Sequence, residues 1–395
     1  MKILIADKLS AKTVSDLERT GAEVVIKPGL TADELPGVLK DVEVLIVRST
    51  KVRASAIEAA PCLSLIVRAG AGVDTIDLDC ASSKGIYVAN CPGKNTDAVA
   101  ELAMGLLIAA DRRIVNASVA MRSGAWEKKE YGKAQGLKGR TLGIIGVGTI
   151  GKAMIKLAKG LEMNIAAWSR SLTQESAAKL GIGYCADAEE VAKQADAVSV
   201  HLAANPETRH FIGEKFFKCM KDGAIFVNTS RGDIVDTRAL KEAIRSKHLR
   251  VGLDVYENEP AVTEPVFQDK ELAEMIAATP HIGASTEQAA EAIADEVVLI
   301  VQAYRETGKP INAVNIREKT SEGYSLVVRH YNRVGVLAGV LDELRSGGVN
   351  IEEMENIIFT GQLASNCTLK LDSKPSEELI SRIRKDDNII SVILN

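Results

Sequence analysis

The sequence lacks the features that mark membrane, secreted and nucleic-acid-binding proteins. Its apolar N-terminal stretch, Met1–Asp7, is too short for a signal peptide, and the longest strongly apolar helical run, 102–110, is too short to cross a bilayer. A formal net charge of -4 gives no electrostatic reason to bind DNA or RNA. The six cysteines form no CxxC pair and no metal-ligand spacing. We therefore expect a cytoplasmic protein with reduced cysteines, no metal, and neither nucleic acid nor membrane among its partners.

The sequence contains instead an alternation of short β-branched runs and helical stretches. The runs are apolar on both faces, as strands between two helix layers must be. A chain of 395 residues is long for one core, so two or three domains are expected. We predict an α/β fold with two doubly wound, parallel-sheet domains. The predicted strands are 2–7, 42–49, 63–69, 86–89, 141–147, 164–169, 197–202, 224–229 and 251–255.

Longer helices and a change of pattern mark the rest of the chain. Helical stretches are predicted over 97–123 and 286–307, and Gly308-Lys309-Pro310 ends the second of them. From Gly323 onward the order becomes βαββαβ, which predicts a ferredoxin-like module. Its predicted strands are 324–330, 351–359, 364–371 and 389–394, and its predicted helices are 335–346 and 376–385.

A glycine motif follows the predicted strand at 141–147. Gly146, Gly148 and Gly151 have the spacing GxGxxG, and a helix-forming segment comes directly after them. The first glycine permits a tight turn, the second lets the backbone approach a pyrophosphate, and the third lets helix and strand pack closely. The pyrophosphate would bind free amides at the helix N-terminus. In this context the motif predicts a dinucleotide site, and the alternative is a plain strand–helix turn.

The next strand ends without the acidic residue that usually holds the ribose 2′-hydroxyl of NAD. Ser169 stands at that position, and Arg170 follows it. A hydroxyl and a guanidinium would accept a 2′-phosphate, which favours NADP or relaxed specificity. Alternatively, Arg170 is a solvated surface residue and the cofactor is NAD. The sequence leaves both cofactors open.

Three polar residues follow later strands, at the sheet edge where α/β proteins bind ligands. They are Arg231 in Ser-Arg-Gly, Glu259 in Glu-Pro and His281 in Pro-His. Oxidation of a hydroxy acid at C2 needs a group that exchanges the hydroxyl proton, a second group that tunes the first, and a cation for the carboxylate. Imidazole, carboxylate and guanidinium suit these roles in turn. Each residue alone could be structural, but together, after the nucleotide motif, they predict a catalytic site.

These motifs and several others resemble those of the D-isomer-specific 2-hydroxyacid dehydrogenases almost from end to end. The matching segments are Val47–Ser49, Arg68–Asp74, Ala98–Leu102, Trp126–Lys129, Gly146–Gly151, Ser230–Gly232, Glu259-Pro260 and His281–Thr286. The sequence departs from the family pattern at Ala71, at Leu202-Ala203-Ala204 and at Ser169. The departures lie near the cofactor in this family, so they bear on cofactor preference and not on the chemistry.

The resemblance implies roles for individual residues. Arg231, Glu259 and His281 would form the catalytic triad, in which neutral His281 takes the C2 hydroxyl proton. The residues implied around the cofactor, with Asp254 near the nicotinamide, are Gly146, Gly148, Thr149, Ile150, Gly151, Ser169, Arg170, Leu202, Thr229, Asp254 and Ala284. Those implied around the substrate are Arg48, Ser49, Gly70, Ala71, Gly72 and Arg231. Arg48 would contact a phosphate, and further basic candidates are Lys51, Arg53, Lys128 and Lys129, although charge clusters are usually solvated.

The resemblance also implies a domain organisation and a substrate. A flavodoxin-like substrate-binding domain would comprise 1–97 and 287–316, and a Rossmann cofactor domain would comprise 98–286, with catalysis in the cleft between them. The likeness is strongest to family members that oxidise 3-phosphoglycerate in serine biosynthesis with NAD or NADP. One alternative is an NADPH-dependent glyoxylate or hydroxypyruvate reductase, which Ser169 and Arg170 favour. A remote alternative is a dinucleotide-sensing interaction protein.

The C-terminal part, 317–395, resembles the ACT domains, a family of small amino-acid-sensing modules. The likeness lies in His330-Tyr-Asn332-Arg-Val-Gly335 and in Gly347-Gly-Val-Asn350, where Val334 replaces the usual proline. It implies that His330, Asn332 and Asn350 bind L-serine as an inhibitor, and the alternative is a module used only for oligomerisation. The family likeness further implies a homodimer through 123–140, which pairing of ACT domains would extend to a homotetramer.

Overall fold

The structure is a computed structural model that describes residues 1–260, 266–317 and 323–395. The chain divides into two compact units, 1–316 and 317–395. The first unit contains two parallel sheets, and the second contains one antiparallel sheet. The predicted fold class is confirmed. Within the described residues, no helix has the length and apolar character needed to span a membrane.

The first sheet has five parallel strands in the order β2-β1-β3-β4-β5, which is the flavodoxin-like order. Its strands are β1 (Lys2–Ile5), β2 (Glu23–Ile26), β3 (Val44–Val47), β4 (Leu65–Arg68) and β5 (Tyr87–Asn90), and its helices are α1 (Ala11–Arg19), α2 (Ala54–Glu58) and α3 (Leu78–Ser83), with a 3-10 turn at Leu35–Val38. The central strand β3 is buried at every residue because helices cover both faces. The residues that follow β3 and β4 therefore emerge side by side at one edge.

The second sheet has seven parallel strands in the order β12-β11-β10-β9-β6-β7-β8, which contains the Rossmann order. Its strands are β6 (Thr141–Ile145), β7 (Asn164–Trp168), β8 (Gly183–Tyr184), β9 (Ala197–Val200), β10 (Ile225–Asn228), β11 (Arg250–Leu253) and β12 (Ala277–Ala278). The helices around it are α4 (Thr96–Arg112), α5 (Ile114–Arg122), α6 (Lys128–Tyr131), α7 (Thr149–Gly160), α8 (Gln174–Leu180), α9 (Ala188–Gln194), α10 (Glu214–Cys219), α11 (Thr237–Lys247) and α12 (Lys270–Met275), with a 3-10 turn at Gly232–Ile234. The strand order reverses between β6 and β9, and the glycine motif after β6 lies at that reversal, where such sheets bind ligands.

The long helix α13 (Glu287–Thr307) packs against the first sheet. It begins at Thr286, whose hydroxyl accepts the N–H of Ala289, and it ends at Gly308 with a φ of 73°. Its buried residues share one apolar core with β1, β3 and β4. The chain then returns to β5, where the N–H of Val314 donates to the carbonyl oxygen of Val88 at 2.8 Å. These contacts support the proposed assignment of 287–316 to the substrate-binding domain.

Several features of the first unit differ from the prediction. The single helix expected over 97–123 is two helices, α4 and α5, because Arg113 between them has a left-handed φ of 51°. The Arg113 guanidinium bonds Glu130 at 2.5 Å and lies over the ring of Tyr131, so tertiary contacts stabilise the break. The edge strand β2 was not predicted, since its residues are partly exposed and lack a buried apolar run.

The second unit has the ferredoxin-like arrangement. Its strands are β13 (Tyr324–Tyr331), β14 (Ile351–Ile358), β15 (Ala364–Leu371) and β16 (Ile389–Leu394), and its helices are α14 (Val336–Ser346) and α15 (Glu377–Arg384). The strands are antiparallel in the order β14-β15-β13-β16. Alternate residues of β13 and β15 are buried with the two helices in one core. The predicted βαββαβ order is confirmed.

Candidate active site

The glycine motif forms the tight turn between β6 and α7. Gly146 has a φ of 97°, and its N–H donates to the carbonyl oxygen of Trp168 at 2.8 Å. Leu202, after β9, borders the turn, because a Cβ on Gly146 would lie 3.1 Å from its Cδ2. A Cβ on Gly151 would overlap the carbonyl oxygen of Gly146, so the close packing of helix on strand requires glycine there. Among the described residues, no atom lies within 4 Å of a Cβ built on Gly148, which leaves space for a pyrophosphate.

At the carboxyl edge of the second sheet, several polar groups that a dinucleotide could use have no protein partner within the described residues. In the described part of the chain, the amides of Thr149, Ile150 and Gly151 have no backbone acceptor, as is usual at a helix N-terminus. The hydroxyl of Thr229, which follows β10, is buried and also has no partner there. Such donors and the open turn fit a nicotinamide dinucleotide.

A matched pair of substitutions tests this fit. We expect Gly151→Ala to lower the melting temperature, because the added methyl meets backbone and overpacking costs about 1–3 kcal/mol. We expect Gly148→Ala to leave the melting temperature unchanged but to weaken binding of NADH and NADPH, because the methyl projects into open space. Thermal unfolding and fluorescence titration measure the two effects. If both variants bound the cofactor like the unsubstituted protein, this turn would not be the pyrophosphate site.

The end of β7 carries the residues that would distinguish NAD from NADP. Ser169 and Arg170 follow the strand directly. Nη1 of Arg170 lies 3.5 Å from the carboxylate of Glu207, and both side chains are exposed. An exposed ion pair contributes little free energy, so the guanidinium can turn toward a 2′-phosphate at low cost.

His281 and Glu259 form a hydrogen-bonded pair beyond the carboxyl ends of the second sheet. Nδ1 of His281 lies 2.7 Å from Oε2 of Glu259, whose Oε1 accepts the N–H of Tyr256 at 3.1 Å. Both side chains are partly exposed, and Ala284 lies three residues further along the same loop. Because Nδ1 faces the carboxylate, Nε2 of His281 remains for a substrate hydroxyl.

Asp254 fixes the backbone around His281. Its buried carboxylate accepts hydrogen bonds from the hydroxyl of Thr279 at 2.6 Å and from the N–H groups of Ile282 and Gly283, each at 2.8 Å. The N–H of His281 donates to the carbonyl oxygen of Asp254 at 2.8 Å. These bonds hold His281 at a φ of 53°, which is uncommon for residues other than glycine. Asp254 therefore positions the loop that carries the imidazole.

The pKa of His281 lies above the ordinary imidazole value, first because of its hydrogen bond to Glu259 and then through the attraction between the two charges. Burial of the ring and the positive charge of Arg231 act in the opposite direction. Arg231 therefore acts electrostatically on the imidazole, and Gly232, which follows it, packs against the backbone of Tyr256 and Glu257.

This balance predicts the pH dependence of a Glu259→Gln variant. Oxidation requires neutral His281, so kcat/KM should rise with pH through the pKa of His281. Glutamine removes the charge of Glu259, the main cause that raises this pKa, and leaves burial and Arg231, which lower it, so the rise should move to lower pH. A pH profile of kcat/KM for oxidation in both proteins measures the shift. A midpoint that stayed in place would show that another group controls the profile.

Arg231, which follows β10 of the second sheet, makes contacts with the first sheet. Its Nη2 lies 3.1 Å from Oδ1 of Asp74, and its Nη1 donates to the carbonyl oxygen of Ser230 at 2.7 Å. Burial raises the pKa of Asp74, but the charge and hydrogen bond of Arg231 outweigh this effect, so the pKa lies below its usual range. A Cβ on Gly72 would overlap the guanidinium. Arg231 therefore lies directly on the glycine turn of the first sheet.

The turn at Gly70–Gly72 is anchored by residues that follow and end β5. The N–H of Cys91 donates to the carbonyl oxygen of Gly70 at 2.9 Å, and Nδ2 of Asn90 donates to that of Ala71 at 2.5 Å. Among the described residues, the amides of Ala71 and Gly72 have no acceptor. The turn can therefore offer two N–H groups to a carboxylate, the role that the family resemblance implies.

The loop after β3 is also held in a fixed conformation. The amides of Arg48, Ser49 and Thr50 converge on one carboxylate oxygen of Asp7, at 2.6, 3.1 and 3.1 Å. The Arg48 side chain is partly buried at the same sheet edge. Arg53, by contrast, is exposed and paired with an aspartate at 2.7 Å. Of the three basic candidates after β3, Arg48 is therefore better placed for a phosphate than Lys51 and Arg53, which are both exposed.

Two charged residues of this edge were not predicted. Arg68 ends β4, and Asp74 follows the glycine turn. Both lie within Arg68–Asp74, one of the segments that resemble the family, but the sequence pattern predicts no separate role for either. The available signal was a charged residue closing an otherwise apolar strand, at the end where such sheets bind ligands.

The three predicted effector residues belong to the second unit, and no hydrogen bond among the described residues joins one of them to another. His330, near the end of β13, is buried, and its Nε2 has no partner among the described residues. Nδ2 of Asn332 donates to the carbonyl oxygen of Gln362 at 2.9 Å. The backbone N–H of Asn350 donates to Oδ1 of Asp372 at 3.0 Å.

Comparison with known proteins places this geometry in a family. The D-isomer specific 2-hydroxyacid dehydrogenase NAD-binding domain matches residues 104–283. A D-3-phosphoglycerate dehydrogenase of Methanocaldococcus jannaschii is 37% identical over 370 residues, covering 93% of this chain and 69% of the relative. A glyoxylate reductase of Thermococcus litoralis is 42% identical over 285 residues, covering 70% and 85%. A solved structure of NAD+-bound 3-phosphoglycerate dehydrogenase from Entamoeba histolytica has a TM-score of 0.68 and 29% identity, covering 80% of this chain and 99% of its own.

The chain belongs to the D-isomer-specific 2-hydroxyacid dehydrogenase family. It is an oxidoreductase with a dinucleotide-binding domain and a small-molecule substrate, as predicted. The two relatives differ in their named activity, since one is a D-3-phosphoglycerate dehydrogenase and the other a glyoxylate reductase.

Proposed function

We propose that the protein oxidises 3-phosphoglycerate at C2 to 3-phosphohydroxypyruvate, with NAD or NADP as hydride acceptor, as the first step of L-serine biosynthesis. The observation that carries the proposal is the hydrogen bond between His281 and Glu259, next to the Arg231 loop, whose Gly232 packs against the backbone of Tyr256 and whose guanidinium lies on the glycine turn of the first sheet. Relatives named D-3-phosphoglycerate dehydrogenase match over 93% of the chain, which supports the same substrate.

Each side chain of the triad acts at a defined atom in this proposal. The nicotinamide ring, when bound, accepts the hydride that leaves C2 of the substrate. Nε2 of His281 takes the proton of the C2 hydroxyl, and Glu259 stabilises the positive charge that the imidazole gains. Arg231 holds the substrate carboxylate through two N–H groups, one of which is bonded to Asp74 in the free protein.

A substrate comparison with purified protein tests the proposal. Reduction of 3-phosphohydroxypyruvate, hydroxypyruvate and glyoxylate is followed with NADH and with NADPH, together with oxidation of 3-phosphoglycerate. We expect the highest kcat/KM for the phosphorylated keto acid. A higher value for glyoxylate or unphosphorylated hydroxypyruvate would overturn the proposal.

The second candidate is an NADPH-dependent glyoxylate or hydroxypyruvate reductase. Ser169 and Arg170 at the end of β7 favour it, as does the 42% identity to a glyoxylate reductase. This candidate gives no role to Arg48 at the edge of the first sheet, and the reductases that support it match 70% and 75% of the chain.

The cofactor proposal predicts the effect of an Arg170→Ala substitution. If Arg170 holds a 2′-phosphate, kcat/KM should fall about 10- to 100-fold for NADP, since hydrogen bonds to charged groups contribute about 1.5–3 kcal/mol. The value for NAD should change by less than about twofold, because NAD has no such phosphate. Steady-state kinetics with both cofactors measure the ratio of kcat/KM for NADP to kcat/KM for NAD in each protein. Equal losses for both would show that Arg170 does not select the cofactor.

We further propose that the protein is a homodimer, extended to a tetramer by its ACT domains. Helix α5 has no buried residue in the single chain, and it leads to the exposed Trp126. Its exposed apolar side chains include Val119 and Met121, at 60% and 61%. Apolar surface of this kind supports burial against a second copy.

Inhibition by L-serine at the second unit is likewise a proposal. The unpartnered Nε2 of His330 supports it, because a buried imidazole nitrogen without a hydrogen bond is costly unless a ligand or water satisfies it. The side-chain amide of Asn332 could bind the carboxylate or amino group of an amino acid. We also propose a cytoplasmic location, because both the substrate and the cofactor are charged molecules that do not cross membranes unaided.

A further inference from the structure

Tyr256 is bonded to the segments that carry both members of the His281–Glu259 pair. Its backbone N–H donates to Oε1 of Glu259 at 3.1 Å. Its hydroxyl donates toward the carbonyl oxygens of Leu253 and Thr279, at 3.1 and 3.0 Å. Thr279 lies two residues before His281. The same residue therefore contacts the carboxylate and the segment that leads to the imidazole.

The loop of the third catalytic candidate, Arg231, also packs on Tyr256. A Cβ on Gly232, which follows Arg231, would overlap the carbonyl carbon and oxygen of Tyr256. A side chain at position 232 would therefore push the two loops apart, and glycine permits their direct backbone contact. Tyr256 thus joins three loops that the chain supplies from distant positions.

The phenol ring of Tyr256 is held in place, and its hydroxyl stays protonated. The ring centroid lies 4.6 Å from that of Phe267, and the ring packs against the apolar core of the second sheet. Burial, together with the negative charges of Asp254 and Glu259, raises the pKa of the Tyr256 hydroxyl to about 12. The hydroxyl therefore remains a hydrogen-bond donor throughout the pH range in which an imidazole titrates.

The carbonyl oxygen of Thr279 depends on this hydroxyl. Among the described residues, no backbone N–H donates to it, whereas the carbonyl oxygen of Leu253 also accepts the N–H of Thr279 at 3.0 Å. Pro280, which comes next, has no N–H, and His281 has a left-handed φ of 53°. Such backbone persists where the surrounding contacts hold it. Loss of the Tyr256 hydroxyl should therefore loosen the segment that carries the imidazole.

We propose that Tyr256 is a positioning residue that sets the geometry of the hydrogen bond between His281 and Glu259. It acts through these two residues and not on the reacting atoms. The inference rests on the catalytic roles proposed above. The competing explanation is that Tyr256 only contributes to the apolar core, in which case its hydroxyl affects stability but not catalysis.

The experiment removes the hydroxyl and keeps the ring and the backbone N–H. Tyr256→Phe is compared with the unsubstituted protein and with Tyr304→Phe, which makes the same chemical change on α13, where the ring packs against Tyr87 of the first sheet. In Tyr256→Phe, kcat for oxidation should fall about 3- to 10-fold, as expected for the loss of one hydrogen bond. The dissociation constant of NADH should stay the same, because these contacts do not belong to the glycine turn after β6. The control variant should change neither quantity.

A pH profile of kcat/KM distinguishes positioning from stability. Glu259, Asp254 and Arg231 are the charged groups that act on the His281 imidazole, and the hydrogen bond to Glu259 is the largest cause that raises its pKa. A weaker bond lowers this pKa, so the rise of kcat/KM with pH should move to lower pH in Tyr256→Phe. The shift should be smaller than in Glu259→Gln, because the charge of Glu259 remains. Titration of the His281 ring by NMR, with its signal assigned by its absence in His281→Asn, measures the same pKa without turnover.

Failure of this inference differs from failure of the proposed function. A Tyr256→Phe protein with a lower melting temperature but unchanged kcat and an unchanged pKa of His281 would overturn the inference, as would a protein with no change at all. Normal turnover by His281→Asn would overturn the catalytic roles and this inference with them. All measurements use the substrate that the protein oxidises fastest, so a preference for another hydroxy acid would overturn the proposed substrate alone.

Discussion

Substitution of His281 by asparagine should lower kcat for oxidation by about 10²–10⁴-fold, the usual contribution of a positioned general base. Asparagine is chosen because His281 has a left-handed backbone, which asparagine tolerates better than alanine does. The amide has no basic nitrogen, so the C2 hydroxyl proton has no acceptor at this position. The hydrogen bonds from Ile282 and Gly283 to Asp254 do not depend on the imidazole, so the loop should persist.

The chain offers a matched control for this substitution. His248 also has a left-handed φ, of 55°, but it lies exposed at the C-terminal end of α11. His248→Asn should therefore leave kcat and cofactor affinity unchanged. Steady-state kinetics and NADH titration of both variants separate the loss of the base from a loss of binding. Turnover of His281→Asn close to that of the control would contradict the catalytic assignment.

Loss of Arg231 should have the second large effect. Arg231→Met should reduce kcat/KM by about 10²–10⁴-fold, because two charge-assisted hydrogen bonds to the substrate carboxylate are lost at about 1.5–3 kcal/mol each. It also leaves Asp74 without its cation, at a partly buried position that a substrate carboxylate must approach. Repulsion between the two carboxylates would add to the loss.

Two further variants make the Arg231 prediction specific. Arg231→Lys should recover only part of the activity, since an ammonium cannot bond a carboxylate at two parallel points. The double variant Arg231→Met with Asp74→Asn should have a higher kcat/KM than Arg231→Met alone, because it removes the repulsion between Asp74 and the substrate carboxylate. Comparable kcat/KM for Arg231→Met and the unsubstituted enzyme would show that another group holds the carboxylate.

The predictable part of the structure rests on local patterns. Both parallel sheets follow from apolar runs that alternate with helices, and the order after Gly323 predicted the antiparallel module. The glycine motif predicted the dinucleotide turn because each of its positions requires a residue without a side chain for a different steric reason. The structure shows such close contacts at Gly146 and Gly151. The pairing of His281 with Glu259 was also predicted, because oxidation at C2 needs a base together with a group that tunes it, and the two residues follow strands of the same sheet.

The unpredicted part depends on contacts between distant segments. The break between α4 and α5 occurs at an arginine, which gives no turn signal, and contacts of Arg113 with Glu130 and Tyr131 stabilise it. The short edge strands β8 and β12 contain two residues each, too few for any periodicity. The chain turns sharply after β4, and this turn brings the Arg68 guanidinium over Gly70. The sequence shows the arginine, but it cannot show that the Arg68 Nε is buried without a hydrogen bond among the described residues.

An isotope experiment tests most directly whether the hydrogen at C2 leaves the substrate as hydride. 3-Phosphoglycerate carrying deuterium at C2 is oxidised by the purified protein, and the reduced cofactor is analysed by mass spectrometry. We predict that the deuterium is recovered in the reduced nicotinamide ring and that His281→Asn forms this product at least about 10²-fold more slowly. Deuterium released into water, or equal rates in the two proteins, would contradict the claim that hydride leaves C2 while the imidazole takes the hydroxyl proton.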